Sequence, residues 1–407
     1  MSCMRKVVLA IVIAALVFVL PSVSDADEFK LIPSISVREE YNDNILYTSR
    51  DEIDDWITTV SPGLEVIQRT EQLDLNLSAI VSPIYYADHS DFDEVDQNYG
   101  ARASYQITSL FGVNATARYD VTNRPDRDIE TTGMVESVDE RKRQQYELGF
   151  DYRLTEVVAM AFSVGYLQDD WDSDNFDRQD LEAPTATLNF TYDMGQWWDS
   201  TISRLNLGFG RYEYESTDTY NYFGSLGVQH WFTETVNLIV DLGVRYTDSD
   251  YDRPERVFVP PFFYQVRTVE KNNSDYGGVG QAILEIRREL TRGSIRIGYD
   301  IRPASGEGTV VERTDVVLNL RRKFAERSVI GITTGYYKNK ADSDEFSFRE
   351  TDEDTFFIRP RIRWEFLDHY TLEAGYNFSY VDDRAENNDT RRSLVYLQVA
   401  YGLPLFE

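Results

Sequence analysis

The feature of this sequence that most constrains its fold is an alternation of apolar and polar residues with a period of two. The alternation recurs from Leu73 to the C-terminal end, whereas helical periodicity does not. Clear examples lie at 73–82, 111–121, 145–154, 237–246 and 356–366. Residues two apart on a strand share one face of a sheet, so each segment predicts a strand with one apolar and one polar face.

A second repeat divides these strands into pairs. Short turns that begin with an apolar residue start at Ile67, Leu110, Leu154, Met194, Phe232, Leu290, Phe324 and Phe366. Longer polar segments alternate with them, at 42–55, 87–97, 122–143, 168–182, 247–274, 338–354 and 381–391. Short turns on one side and long loops on the other are typical of an outer-membrane β-barrel.

The turns also give a strand count. Eight turns join sixteen strands, and segments at roughly 29–41 and 393–401 add one strand at each end. We therefore predict an all-β, transmembrane, antiparallel up-and-down β-barrel of about 18 strands. Sixteen strands is the alternative, because the first strand has the weakest pattern. The short turns are expected to be periplasmic and the long, acidic loops extracellular.

A soluble sandwich or propeller is the competing architecture. Such a fold would bury its apolar faces against a second sheet. Here the apolar faces carry aromatic residues near both ends of the strands, among them Tyr146, Tyr220, Phe232, Tyr336 and Trp364. Aromatic girdles at two membrane interfaces explain both positions, and closure of a barrel leaves no unpaired backbone in lipid.

The first residues predict export. A basic start at Arg5 and Lys6 precedes an apolar run at 7–20, and small residues stand at −3 and −1 of a cut after residue 26. Fourteen apolar residues are short of the roughly 20 that a spanning helix needs. We expect residues 1–26 to be a cleaved signal peptide and 27–407 to form a barrel in the outer membrane of a Gram-negative cell envelope.

Composition excludes several classes of function. The formal net charge of −29 argues against nucleic-acid binding, which depends on Lys and Arg. A single Cys excludes a disulfide scaffold and a thiolate zinc cluster. His89, His230 and His369 accompany no recognisable nucleophile motif, so an outer-membrane hydrolase is only a remote alternative and no enzyme is predicted.

Two short motifs carry a family resemblance. They are Tyr41-Asn42-Asp43-Asn44-Ile45 and Ser61-Pro62-Gly63-Leu64. Asn and Asp suit turn geometry, and Pro-Gly is expected to punctuate a strand. With these motifs, the region 30–66 resembles the family named Putative beta-barrel porin 2, outer-membrane proteins associated with exopolysaccharide loci. The resemblance implies no catalytic residues, and it implies exopolysaccharide secretion components as partners. Any such barrel is also expected to contact lipid, lipopolysaccharide and the barrel assembly machinery.

Arginines follow the polar faces of the later strands. They are Arg245, Arg287, Arg296, Arg302, Arg321, Arg359, Arg361 and Arg363. Charges facing lipid cost a few kcal/mol near the midplane, so parity places these residues in the lumen. One interpretation is a porin-like channel for transport of small solutes or anionic saccharides, with Arg359, Arg361 and Arg363 as a selectivity strip. The other is a ladder of Arg–carboxylate pairs that stiffens the wall, with partners such as Asp241 and Asp315.

The long loops raise two further expectations. Asp170, Asp172, Asp174 and Asp177 alternate as at the start of a calcium loop, but the Gly and Glu of such a loop are missing. A solvated acidic surface, or divalent cations bridging to lipopolysaccharide phosphates, are the alternatives, and no other cofactor is expected. In loop 247–274, the apolar segment 260–264 is expected to constrict the lumen or to pack on a partner. A non-conducting adhesin or structural barrel with acidic binding loops stays open as a function.

Overall fold

A computed structural model of the chain describes residues 28–135, 138–172, 178–259 and 263–405. The expected signal peptide lies outside these residues. Within them are one short 3-10 helix, Ser90–Phe92, and eighteen strands. The strands are β1 Glu28–Asn42, β2 Asp55–Arg69, β3 Leu73–Tyr86, β4 Glu94–Thr108, β5 Phe111–Thr122, β6 Glu140–Arg153, β7 Val158–Asp172, β8 Leu181–Asp193, β9 Thr201–Glu213, β10 Thr217–Thr233, β11 Val236–Val259, β12 Phe263–Arg287, β13 Thr291–Ala304, β14 Thr309–Ala325, β15 Ser328–Ala341, β16 Thr351–Leu367, β17 Tyr370–Asp383 and β18 Asn388–Gly402. In the part of the chain so described, no helix has the length and apolar character needed to cross a bilayer.

The strands form one closed antiparallel sheet. Each strand pairs with its neighbours in sequence, and β1 pairs with β18 from Ser34↔Gly402 to Asn42↔Leu394. The predicted barrel is therefore confirmed at eighteen strands, and the alternative of sixteen is wrong. All eight predicted short turns join consecutive strands, so one end of the barrel, here called the short-turn end, carries only tight connections. The opposite end is called the long-loop end.

Side-chain parity separates an outer from an inner face. On β11, Leu242 and Val244 are 67% and 71% exposed, whereas the flanking Asp241 and Arg245 are 3% and 2% exposed. On the same outward face, the ring of Tyr276 on β12 contacts the ring of Tyr246 on β11 in a tilted arrangement, with centroids 4.8 Å apart. The apolar and aromatic face therefore points outward and the charged face inward, as a membrane barrel requires.

The segment 247–274 corrects one expectation. It was predicted to be a loop, but it is a β-ribbon, because β11 and β12 stay paired from Tyr251↔Lys271 to Val259↔Phe263. The neighbouring strand β10 ends its pairing at Thr217↔Tyr251, so the ribbon projects beyond the wall. Its charged residues pair across the two strands, as Lys271 does with Glu255 at 3.3 Å. Such cross-strand pairs allow a strongly polar sequence to remain a strand in water.

Candidate functional site

The connection between β5 and β6 is called the 123–139 loop, and its described residues 123–135 cross the lumen. In the ring of strands, β5 and β6 lie nearly opposite β14–β16, yet the loop reaches that wall. Three side chains of the far wall donate hydrogen bonds to its backbone carbonyls: Tyr337 to Glu130, Asn339 to Thr132 at 3.0 Å, and Thr355 to Gly133. This loop therefore narrows the lumen, and the expectation that 260–264 constricts the lumen or packs on a partner stays a prediction. Residues 260–262 themselves lie outside the described part of the chain.

Gly133 lets this loop sit against the far wall. Its φ is +76°, in the left-handed region that favours glycine. A Cβ built on Gly133 would lie 2.4 Å from the Cβ of Tyr337. No other residue type fits this contact without displacing Tyr337, which is fully buried.

Two aspartates of the loop sit among arginines. Asp126 lies 2.6 Å from Arg392 of β18 and 3.2 Å from Arg124, measured between nitrogen and oxygen. Burial alone would raise the pKa of Asp126, but Arg392 and Arg124 outweigh it and hold that pKa well below its usual range. Because the charged form is the one stabilised, Asp126 fixes the loop to the wall as an anion.

Asp128 forms a second set of ion pairs, toward the near wall. Its carboxylate contacts Arg141 and lies 3.2 Å from Arg143, both on β6. Burial opposes the charged form here too, but Arg143 and Arg141 lower the pKa of Asp128 to about 2. The loop is thus tied by carboxylates at both ends of its path across the lumen.

Further contacts complete the anchoring of the loop. Arg124 lies 2.9 Å from Glu40 of β1, and Glu130 forms an ion pair with Arg359 of β16. Ile129 is fully buried in an apolar cluster with Tyr47 and Val381. The loop is therefore held by packing as well as by charge.

Two other connections also fold inward at the long-loop end. The β13–β14 connection meets the wall near β7–β10: Arg178 lies 2.6 Å from Glu307, and the Tyr214 hydroxyl donates to the Ala304 carbonyl at 3.2 Å. The β15–β16 loop buries Phe346 in a second apolar cluster, separate from that of Ile129. That cluster comprises Met134, Leu181, Ala183, Tyr212, Tyr214, Ile301, Ala304, Val310, Val311, Ala341 and Phe346. An apolar core therefore fills much of the long-loop half of the barrel.

The structure places all eight predicted arginines on the inward face, and most of them have carboxylate partners. The pairs are Arg245 with Asp275 at 3.0 Å and with Glu312, Arg287 with Glu285 at 2.9 Å, Arg296 with Asp315 at 3.0 Å, Arg302 with Asp300 at 3.5 Å, Arg359 with Glu130, and Arg363 with Glu373 at 2.9 Å. Arg321 and Arg361 have no carboxylate of the described residues within 4 Å. The proposed strip of Arg359, Arg361 and Arg363 is therefore two paired residues around one unpaired residue.

Near the short-turn end, arginines stand side by side across the sheet. Arg287 of β12 faces Arg292 of β13, and Arg292 faces Arg321 of β14 in direct register. Arg321 faces Gly331, which in turn faces Arg361 of β16. We call Arg287, Arg292, Arg321 and Arg361 the arginine row. Arg292 was missed from the sequence, although it shares the parity of Arg296.

A cleft of about 260 Å³ opens along the arginine row. All four arginines line it, together with Ser294, Asn319 and Thr333. Glu285 is the one carboxylate among the described residues that line it. A Cβ on Gly331 would lie 3.2 Å from Nε of Arg361, so this glycine leaves room for the Arg361 side chain to lie toward Arg321.

Of the four aspartates considered for calcium, two lie in the described part of the chain. Asp170 and Asp172 end β7; Asp170 accepts a hydrogen bond from Gln168 at 2.8 Å, and Asp172 lies 3.8 Å from Lys142. Asp174 and Asp177 lie outside the described residues. The calcium site therefore stays a prediction.

The N-terminal motif shapes the β1–β2 loop. The Asn42 side chain accepts from the Asn44 backbone at 3.1 Å, the Asn44 amide donates to the Thr48 carbonyl at 2.7 Å, and the Tyr41 hydroxyl donates to Asp54 at 2.9 Å. Asp43 accepts from the backbone of Ser393 at 2.6 Å, which ties this loop to β18.

Pro62 and Gly63 do not end a strand, contrary to expectation. They lie inside β2, which stays paired with β1 through Pro62↔Ile35 and Gly63↔Ser34. The pairing with β3 is instead interrupted between Thr59 and Gly63. Proline lacks the N–H that a ladder needs, so its effect is confined to one side of the strand.

Comparisons with known proteins agree with this architecture. The family model of Putative beta-barrel porin 2 matches residues 25–141. The chain is a porin-like β-barrel. The match includes the region 30–66 and confirms the resemblance stated from its motifs. No curated protein matches this chain.

Solved structures of similar shape are outer-membrane barrels of low identity. The ferric citrate transporter FecA has a TM-score of 0.48 and 7% identity, covering 91% of this chain and 78% of its own. The outer membrane protein OpdK of Pseudomonas aeruginosa has a TM-score of 0.46 and 9% identity, covering 92% and 99%. The ferric-catecholate import receptor Fiu of E. coli K12 has a TM-score of 0.48 and 6% identity, covering 91% and 81%.

Proposed function

We propose that this chain is an outer-membrane channel for small anionic solutes or anionic saccharides. The observation that carries the proposal is the arginine row, which places positive charge on the inward face with a single carboxylate beside it. Guanidinium groups bind carboxylate, sulfate and phosphate through pairs of parallel hydrogen bonds. A lumen lined in this way attracts anions and repels cations.

The proposal includes a closed resting state. The long-loop half is filled by the 123–139 loop and by the β13–β14 and β15–β16 connections, so solute passage requires at least one of them to move. The 123–139 loop is held by largely buried ion pairs and by hydrogen bonds, with Ile129 as its fully buried apolar contact. It is therefore the segment whose release we assign to opening.

The setting of the channel is part of the same proposal. Residues 1–26 direct export and are removed, the barrel assembly machinery inserts the chain, and the long-loop end faces outward among lipopolysaccharide. A link to exopolysaccharide secretion components is a further part of this proposal and rests only on the resemblance stated from the motifs. Calcium at the β7–β8 loop would join acidic loops to phosphates of lipopolysaccharide.

Ion selectivity in a planar bilayer tests the channel. Because the resting state is closed, we expect brief single-channel openings rather than steady conductance. In a KCl gradient the reversal potential of these openings should lie on the side that indicates chloride permeation. Replacing Arg292, Arg321 and Arg361 together by Gln should move the reversal potential toward zero. A cation-selective channel in the unchanged protein would overturn the proposal.

The filled long-loop half favours a second candidate function, a non-conducting structural or adhesive barrel. A hydrolase has no such supporting feature, and the family and structural neighbours are named as porins, transporters and receptors. A variant with a released loop, Asp126→Asn with Asp128→Asn, distinguishes the two candidate functions. Ion flow through this variant supports the channel. A folded variant without conductance supports the structural barrel.

A further inference from the structure

We propose that the arginine row is a binding site for an oxyanion that carries two or more negative charges, of the phosphate or sulfate class. This inference deepens the proposed channel function and rests on it for the role of the site in transport. The binding itself needs only the residues described here.

The first argument is the register of the row. Arg287, Arg292 and Arg321 are direct cross-strand neighbours on β12, β13 and β14. Cβ atoms of such neighbours lie roughly 5 Å apart, and like charges directly opposite each other destabilise a sheet. A bound multivalent anion between them converts this repulsion into attraction.

The second argument is the shortage of internal counter-charge. Of the four arginines in the row, Arg287 has Glu285 at 2.9 Å, and the others have no carboxylate of the described residues within 4 Å. The carboxylate of Glu373 borders the adjacent cleft, but it is engaged by Arg363 at 2.9 Å and by the Tyr396 hydroxyl at 2.9 Å. Three arginines of the row therefore offer donors with no carboxylate acceptor among the described residues.

The third argument is the shape and polarity of the cleft. Gly331 separates Arg321 from Arg361 in the register and leaves the space that the Arg361 side chain occupies. Thr333 and Asn319, which are hydrogen-bonded to each other at 3.0 Å, add hydroxyl and amide groups to the lining. Ile286, Leu320 and Ile332 also line the cleft, so its polar part is the row together with Ser294, Asn319 and Thr333. Guanidinium forks beside neutral polar groups suit a compact, multiply charged oxyanion.

The fourth argument is access. The row lies next to the short β12–β13 turn, at the end of the barrel away from the inward-folded loops. An anion can therefore reach the site from the short-turn mouth while the long-loop half is closed. The site acts as the first contact of a solute arriving from that side.

Inorganic pyrophosphate is the probe for the test, titrated by calorimetry into the refolded full-length barrel in detergent. We expect saturable binding that weakens by about tenfold or more in Arg292→Gln with Arg321→Gln, because each charge-assisted pair contributes strongly. Arg322→Gln is the matched control, since Arg322 adjoins Arg321 on the outward face. Arg321→Lys, which keeps the charge but loses the planar fork, should bind with intermediate affinity.

The outcomes separate the site from the channel. Unchanged binding in the double variant, or an equal loss in Arg322→Gln, overturns the site. A barrel that binds pyrophosphate but conducts no ions supports the binding site and refutes the channel. An anion-selective barrel that binds no pyrophosphate supports the channel and refutes the binding site. Heat-modifiable gel mobility shows that each variant is folded, and Arg321→Lys tests the site if the double variant is not.

Discussion

The two halves of the inward face differ in what surrounds their arginines. In the long-loop half, Arg141, Arg359 and Arg392 are paired with the carboxylates that the 123–139 loop carries across the lumen. In the short-turn half, Arg292, Arg321 and Arg361 face one another and open solvent. The residue type and the strand parity are the same in both halves. The difference shows that a lumen arginine becomes structural where a carboxylate of the loop or of the wall lies within reach, and otherwise stays free to bind.

Removing the carboxylates of the loop should have the largest effect. Asp126→Asn with Asp128→Asn leaves Arg392 and Arg141 buried without a counter-charge, which costs about 3–5 kcal/mol for a buried pair. We expect release of the loop and an increase in single-channel conductance at neutral pH. The matched control is Glu156→Gln with Glu234→Gln, exposed acids of two short turns, which should leave the conductance unchanged. Equal conductance in both double variants would refute the structural role of the pairs.

Single arginine substitutions should separate the two halves by stability. Arg392→Gln removes the partner of Asp126 and should lower the free energy of unfolding by about 3 kcal/mol. Arg321→Gln removes one of several like charges in register and should change it by less than about 1 kcal/mol, in the stabilising direction. Urea unfolding in lipid vesicles measures both. Comparable losses of unfolding free energy in the two variants would contradict the difference between paired arginines and arginines of the row.

Acid should open the long-loop half. The pKa of Asp128 falls from 3.8 to about 2 in the docked loop, and that of Asp126 is also lowered. Because these pKa values are lower in the docked loop, the ionised carboxylates stabilise docking at every pH above the undocked pKa. This stabilisation is lost as the pH falls through the docked pKa. Conductance should therefore rise between about pH 4 and pH 2.

The same pH series in the double Asn variant provides the control. That variant should already conduct at neutral pH and should show no further rise between about pH 4 and pH 2. A wild-type channel whose conductance stays flat down to pH 2 would show that these carboxylates do not hold the loop.

Alanine substitutions at two glycines of β15 should give the smallest difference in stability between the two halves. A Cβ on Gly335 would lie 2.5 Å from the ring of Phe357, which is buried beside Tyr337, so Gly335→Ala should cost about 1–3 kcal/mol by overpacking. A Cβ on Gly331 would lie 3.2 Å from the flexible Arg361 side chain and 3.8 Å from the Leu320 carbonyl oxygen. Gly331→Ala should leave stability nearly unchanged and weaken pyrophosphate binding a few-fold at most. A larger stability loss at Gly331 would show that the row is tightly packed rather than open.

Much of the fold follows from sequence patterns because a membrane barrel repeats one rule along its length. Period-two alternation and the eight short turns were enough to predict eighteen strands. The β11–β12 ribbon was missed because its charged residues are typical of loops, and only the register shows that they pair across strands.

The candidate site was less predictable. Parity alone placed Arg321 and Arg361 inward, but their lack of carboxylate partners depends on the register with the adjacent strands. Arg321 faces Arg292 and Gly331, and Arg361 faces Gly331 and Gly375. The path of the 123–139 loop across the lumen has no local signal, because its contacts join residues more than two hundred positions apart. Gly133 is the one residue whose type relates to this path, and its role becomes clear only beside Tyr337.

The crossing of the 123–139 loop also fixes an order of assembly. Glu130 contacts Tyr337 across 207 residues, and Asp126 contacts Arg392 across 266. Contacts of such long range form late, because the intervening chain must first be ordered. Here the receiving surface does not exist until β15–β18 have joined the sheet. The docking of the 123–139 loop therefore follows the pairing of β15–β18, so the last strands of the chain complete this part of the closure of the lumen.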